Sequence, residues 1–359
     1  MKRLVFFTKY TAKGSSSRYR FYQYIDSFKD DYECIIYPLL DDDYIDLLYG
    51  GKRISIFKII SCYLRRVWCL LSKIRKDDLL FVEKELFPYF PSVFELYLKK
   101  RRIKYIVDYD DAIFHNYDKS KNIFIRKLFR NKIPKVVQYA SHVITGSPYL
   151  TNFAVAYNAN VTEIPTSISL KKYECTEESS RSEDCFVIGW IGSKPTSPNL
   201  LLIKDALKTF TKKHKDVVVR LVGVDDKIAK TLGVAPTQWS EEKEVLLINT
   251  ISVGIMPLTD SDFNKGKCGF KLIQYMACGK PTISTPLEAN VKINRNKKNL
   301  HAITNQDWLS AFEQVYTNQL CFAKIGKDNK KDIATYYSVE ANAPIYMSIF
   351  EKQYIKSNL

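Results

Sequence analysis

Short apolar runs alternate along the chain with longer stretches whose apolar residues recur at helical spacing. In the first half, residues 4–7, 34–37, 79–82, 105–109 and 142–145 have strand length and few polar interruptions. Such runs read as strands buried on both faces, the pattern of a parallel sheet. Between them, 19–28, 54–74 and 92–100 carry helical periodicity. Around 164–181 the pattern breaks, and a polar run over 171–184 has the composition of a linker. A second alternation follows, with strands expected at 186–191, 217–222, 252–256 and 281–284 and helices at 198–210, 270–277 and 308–317. Ser197 before Pro198 reads as an N-cap with proline at the first helical position. Two α/β sets joined by one linker predict twin Rossmann-like domains facing a cleft. The 359 residues suffice for two cores of ordinary size.

Composition adds a charge problem. With 46% hydrophobic and 26% charged residues the chain has globular character, yet its net charge is +16. That excess calls for an anionic partner: nucleic acid, a membrane face or a phosphorylated substrate. It concentrates in two acid-free stretches, 52–76 and 119–135, interleaved with Ile, Phe, Leu and Trp68. Basic helices with apolar faces can lie on anionic lipid. Core-packed helices with solvated charges would read the same way. No RNA- or DNA-binding module accompanies them, so nucleic acid is not the expected partner. The eight cysteines form no CxxC pair, which points away from zinc and toward reduced, buried thiols. The N-terminal apolar run is too short for a signal peptide, and no window of about 18 residues is uninterrupted by polar groups. A cytoplasmic chain, peripheral on the inner face of the membrane, is the expectation.

Four segments can carry chemistry. After the strand ending near Pro257, a basic glycine loop with Gly266, Lys267, Cys268 and Gly269 opens the helix beginning at Phe270 and Lys271. Gly279 and Pro281 then close it. Glycines and a helix N-terminus beside lysines suit a diphosphate. An ordinary turn with solvated lysines has the same composition. Ser193 and Lys194 follow the strand 186–191 in a second glycine loop. Gly14, Ser15, Arg18 and Arg20 follow the first strand; they form neither a dinucleotide fingerprint nor a Walker loop. Arg20 could equally be a charge on a helix surface. Asp108, Asp110 and Asp111 end another strand, where open α/β sheets place their ligands. A bound metal is one use for such a cluster. The lone His115 reads as structural.

The stretch Tyr275, Met276, Ala277, Cys278, Gly279, Lys280, Pro281 resembles the E-x7-E region of the retaining GT-B glycosyltransferases (family 4-like), whose core reads roughly E-x-F-G-x-x-x-x-E-A-M-A-C-G-x-P-V. The chain departs at both acids: Gly266 stands for the first glutamate and Gln274 for the second. It thus resembles a lysine-rich variant of the family. Softer likenesses run through 140–150, 164–168 and the final helix, so the resemblance covers nearly the whole chain.

The resemblance implies a GT-B fold. An N-terminal acceptor-binding domain would take 1–165 plus about 338–359, and a nucleotide-sugar domain 166–337, with the C-terminal helix crossing back to the N-domain. It implies donor diphosphate contacts from Gly14, Ser15, Arg18, Ser193, Lys194, Gly269, Phe270 and Lys271. Gln274, Gly223 and Pro257 would serve the ribose and base, and Lys267 and Gly266 the donor sugar. Asp110 and Asp111 would be catalytic. The implied reaction moves a sugar from a UDP- or GDP-sugar to a lipid-linked or envelope polysaccharide acceptor with retention of configuration, requiring no metal or other cofactor. Two rivals remain: a non-catalytic basic protein binding RNA or an anionic polymer on the same scaffold, and a nucleotide-sugar epimerase.

Overall fold

The apolar run at the N-terminus forms β1 (Lys2–Phe7), whose last four residues are fully buried. The computed structural model describes residues 1–49, 53–174 and 185–355. Lys52 and residues 175–184 of the expected linker lie outside the described residues, as do 356–359. The first half continues with α1 (Ser15–Arg20), β2 (Tyr32–Ile36), α2 (Ile56–Ser72), β3 (Leu79–Glu83), α3 (Val93–Lys100), β4 (Lys104–Tyr109), α4 (Ile123–Phe129), β5 (His142–Thr145) and β6 (Val161–Glu163). These strands form one parallel sheet in the order β2-β1-β3-β4-β5-β6.

The second half holds β7 (Phe186–Ile191), a 3-10 segment Lys194–Ile203, α5 (Lys204–Lys213), β8 (Val217–Val222), β9 (Pro236–Thr237), α6 (Glu244–Asn249), β10 (Val253–Met256), α7 (Phe270–Ala277), β11 (Thr282–Ser284), β12 (Leu300–His301), α8 (Asn305–Thr317), α9 (Gln319–Tyr336) and α10 (Val339–Ile355). Its sheet is also parallel, ordered β12-β11-β10-β7-β8-β9. The chain divides into two compact units: Met1–Thr166 with Gly266–Cys268 and Asn342–Leu359, and Ser167–Lys265 with Gly269–Ala341.

Each sheet reverses its winding once, between β1 and β3 in the first and between β7 and β10 in the second. Loops leaving the carboxyl ends of the strands diverge at such a point, which leaves a crevice for a ligand. In unit 1, Tyr346 and Phe350 of α10 pack on Tyr24, Phe28 and Phe81, with ring centroids 4.8–6.1 Å apart.

Two expected helices differ in the structure. The 19–28 stretch breaks at Phe21, whose φ/ψ of −129°/−65° is not helical. The 198–210 stretch opens instead as the 3-10 segment from Lys194, in which Pro198 lacks the N–H an α-helix would bond to the Lys194 carbonyl. Ser197 is therefore not an N-cap. It is buried within the segment, and its Oγ accepts the Asp225 N–H at 3.0 Å.

Candidate functional site

In unit 1, the loops after β1, β3 and β4 bring serines, carboxylates and lysines together at the winding reversal. Glu83, at the end of β3, is buried. Its carboxylate accepts the Lys9 N–H at 2.7 Å and the Ser17 hydroxyl at 2.6 Å. Ser16 Oγ lies 2.9 Å from Glu83 and 2.7 Å from Asp110, and its single proton can serve one of them at a time. Lys84 turns out of the strand at φ 63°, and its N–H bonds the Asp108 carbonyl at 2.9 Å. That left-handed backbone is costly for a residue bearing a side chain. It carries the ammonium to 2.7 Å from Asp110 and 3.9 Å from Asp111.

Burial works against both charges of the Lys84–Asp110 pair. Their mutual attraction outweighs it, holding Lys84 well above and Asp110 well below their ordinary ranges. The remaining acids also face cations. Arg20 is fully buried and grips Asp108 through two nitrogens, so it is not a helix-surface charge. Lys267 Nζ stands 2.8 Å from Asp111. The Cys268 thiol donates to the Asp110 carbonyl at 2.9 Å, and burial, reinforced by Asp110, pushes it far above the thiolate range. Gly266 is buried with no room for a side chain: a Cβ there would lie 2.5 Å from that of Ala112. Gly14 is equally confined, by Tyr10 at 2.4 Å, whereas Ser15 is exposed and Arg18 half-buried. His115 bonds Asp118 and the Tyr149 hydroxyl, each at 2.9 Å, as a structural histidine would. A small pocket opens beside this cluster, lined among others by Lys9, Glu83, Lys84, Glu85, Tyr89 and Tyr117.

Unit 2 places its candidates at the carboxyl ends of β7, β8 and β10. Gly192 and Gly223 meet there. A Cβ on Gly223 would stand 2.3 Å from the Gly192 carbonyl oxygen, and Gly223 already has φ 71°. Lys271 in the first turn of α7 lies across the Trp190 ring, 4.9 Å from its centroid, with Nζ 3.3 Å from Thr196 Oγ1. Gly269 caps α7 at φ 64°, a conformation glycine adopts without penalty. Ser193 and Lys194 are exposed at the start of the 3-10 segment, Phe270 is half-buried and Pro257 is buried. Gln274 is buried, and its amide donates to the Tyr173 hydroxyl at 3.0 Å. That hydroxyl donates to Glu244 at 3.2 Å, and Glu244 also accepts the Trp239 indole N–H at 2.9 Å.

Unit 1 thus gathers Asp110, Asp111, Gly266 and Lys267 with Ser16, and unit 2 gathers Gly223, Gly269, Lys271 and Gln274. Sequence reasoning missed Glu83, Lys84, Glu244 and Trp239. The acid–lysine–acid run 83–85 directly after an apolar strand was the available signal for the first pair.

This architecture, two parallel six-stranded sheets with helices, is the GT-B fold. Residues 185–318 match the family model described as "Glycosyl transferases group 1". A Bacillus subtilis (strain 168) protein named "Putative teichuronic acid biosynthesis glycosyltransferase TuaH" is 22% identical over 227 residues. The match covers 58% of this chain and 56% of TuaH, so the chain aligns with little more than half of that relative. Among solved structures, Anabaena Alr3699/HepE in complex with UDP and glucose superposes with a TM-score of 0.73 at 12% identity, covering 98% of this chain and all of that one. Sucrose-phosphate synthase from Thermosynechococcus elongatus gives 0.73 at 12%, covering 99% and 100%.

Proposed function

We propose that the chain is a glycosyltransferase that moves a sugar from a UDP- or GDP-sugar to a lipid-linked or envelope polysaccharide acceptor with retention of configuration. The observation that carries this reading is the edge of unit 2. Gly192, after β7 at the winding reversal, and Gly223, after the adjoining β8, leave the backbone bare, and Lys271 stands in the first turn of α7 beside Gly192. The edge lies within the residues that match the glycosyltransferase model. HepE was solved with UDP and glucose, and the name of TuaH ties it to teichuronic acid biosynthesis.

In this reading Lys271, Lys194, Ser193 and the backbone of Gly269 and Phe270 take the charge of the departing nucleoside diphosphate. Fixed cations and dipoles aimed at developing charge are the main catalytic resource, so no metal is needed. Gly223 and Pro257 border the nucleoside, and Gln274 supports the ribose through the Tyr173 network. Asp110 and Asp111 face the reacting sugar and the acceptor hydroxyl, tuned by Lys84 and Lys267, and the pocket beside Glu83 receives the acceptor. The chain works at the inner face of the membrane, held there by its basic helices.

Thermal shift with UDP, GDP and an oligonucleotide tests the donor assignment. Stabilisation by one nucleoside diphosphate, unchanged by EDTA, is expected; a response to the oligonucleotide alone would replace enzyme with polymer-binding protein. Proton NMR of the product anomer reads retention directly.

A further inference from the structure

Trp239 lies just beyond the paired ends of β8 and β9, where Val222 stands opposite Thr237. The residue is 41% exposed, unusual for a side chain so large. It is nevertheless not loose. The indole N–H donates to Glu244 at 2.9 Å, and Glu244 is buried and engaged on its other oxygen by Tyr173. A fixed, half-open aromatic face is therefore built into this edge.

Its neighbours indicate what it faces. A Cβ on Gly223 would lie 3.5 Å from Trp239 Cβ and 2.3 Å from the Gly192 carbonyl oxygen. A Cβ on Gly192 would in turn lie 2.8 Å from Lys271 Cε. Lys271, Gly192, Gly223 and Trp239 thus neighbour one another in turn along the carboxyl edge of the sheet: a cation, two bare backbone positions, then an aromatic residue. That order matches diphosphate, ribose and base.

We propose that Trp239 is the stacking platform for the base of the nucleoside diphosphate, with Glu244 as the positioning residue that fixes its ring. The inference rests on the donor reading above and adds the residue that holds the base. Every base has a π-face, so the platform strengthens binding without choosing between uracil and guanine.

The test is calorimetric titration of the full chain with UDP, with GDP and with inorganic pyrophosphate, which lacks a base. Trp239→Ala should weaken the bound nucleoside diphosphate about ten-fold while leaving pyrophosphate within about two-fold. Trp239→Phe, which keeps an aromatic face, should recover most of the nucleotide affinity. Equal losses for nucleotide and pyrophosphate would assign Trp239 a structural role and overturn the platform. So would undiminished nucleotide binding by Trp239→Ala, which would leave the donor reading standing. A wild-type chain that binds neither UDP nor GDP would overturn the donor reading, and the platform with it.

Discussion

At the scale of single residues, the Lys84–Asp110 pair has the most at stake. Both side chains are largely excluded from water, and each favours the charged form of the other. Removing one member of such a pair leaves an uncompensated buried charge, which costs about 3 kcal/mol or more. Asp110→Asn should therefore lower the urea-unfolding free energy by about that amount, beyond any loss of activity; an unchanged midpoint would mean that Asp111 replaces it. His301 gives a separate pH signature. Burial holds its pKa below the ordinary 6.5. Its ring nitrogens lie 3.2 Å from Ser284 Oγ and from the Asn294 amide nitrogen. The fold favours neutral imidazole, so the unfolded chain takes up a proton first. This contribution is complete above pH 6.5 and is lost as the pH falls through the depressed folded value. The melting temperature should drop on acidification below 6.5, and His301→Gln should flatten part of that drop. At Gly266, Ala112 fills the space any side chain would need, so glycine there is built into the packing of unit 1.

At the scale of elements, α7 was fully legible in the sequence, and its surroundings were not. Gly269 at φ 64° and Gly279 at φ 68° bracket Phe270–Ala277, and the Lys280 N–H returns to the Tyr275 carbonyl at 2.9 Å. These stop signals are local, so a linear reading finds them. Local signals also placed β7 and β8 at their observed bounds. What failed depended on partners far away in the chain. The short strands β6, β9 and β12, two or three residues each, carry too little pattern to be seen. Glu83 and Trp239 acquire meaning only once the strand order brings the serine loop or Gly223 beside them. Gly326 is a similar case. It sits mid-helix in α9, where propensity disfavours glycine, because a Cβ there would lie 2.0 Å from the Gly279 carbonyl oxygen. Gly326→Ala should force α9 away from the end of α7 and destabilise the fold by about 2 kcal/mol, despite alanine's better helix propensity. A gain in melting temperature would show that the contact is slack.

At the scale of the whole molecule, the charge of +16 has to be reconciled with where the side chains point. Not all of the two basic stretches faces solvent. Arg66 is buried and donates to the carbonyls of Thr8, Tyr37 and Leu86, tying strand ends together. Lys132 is buried against Glu85 and the Phe87 carbonyl, and Lys58 pairs with Asp41 and Asp43. Apolar side chains face outward as well. Phe57, Ile60, Leu64, Trp68 and Leu71 recur at helical spacing along α2 and are all exposed, Phe57 by 79%. Ile123, Phe124 and Leu128 do the same on α4. Exposed Tyr89 meets Tyr117 edge-on, and Tyr117 packs by Phe129 of α4, while the Tyr63 hydroxyl of α2 bonds the neighbouring Pro88 carbonyl at 2.9 Å. The two helices thus share one loop, and that loop borders the pocket beside Glu83. No helix among the described residues is long and apolar enough to cross a membrane, so such a stripe would lie in the lipid interface. Arg53, Arg65, Lys73, Arg126 and Lys127 remain around it as cations, each able to contribute about 1 kcal/mol on an anionic surface. Flotation with phosphatidylglycerol vesicles should therefore succeed at low salt and weaken as salt screens the cations. The double variant Phe57→Ser/Trp68→Ser should float poorly at every salt concentration although its charge is unaltered. Equal flotation of both proteins would reduce the contact to electrostatics alone, and equal flotation on neutral vesicles would remove the role of charge.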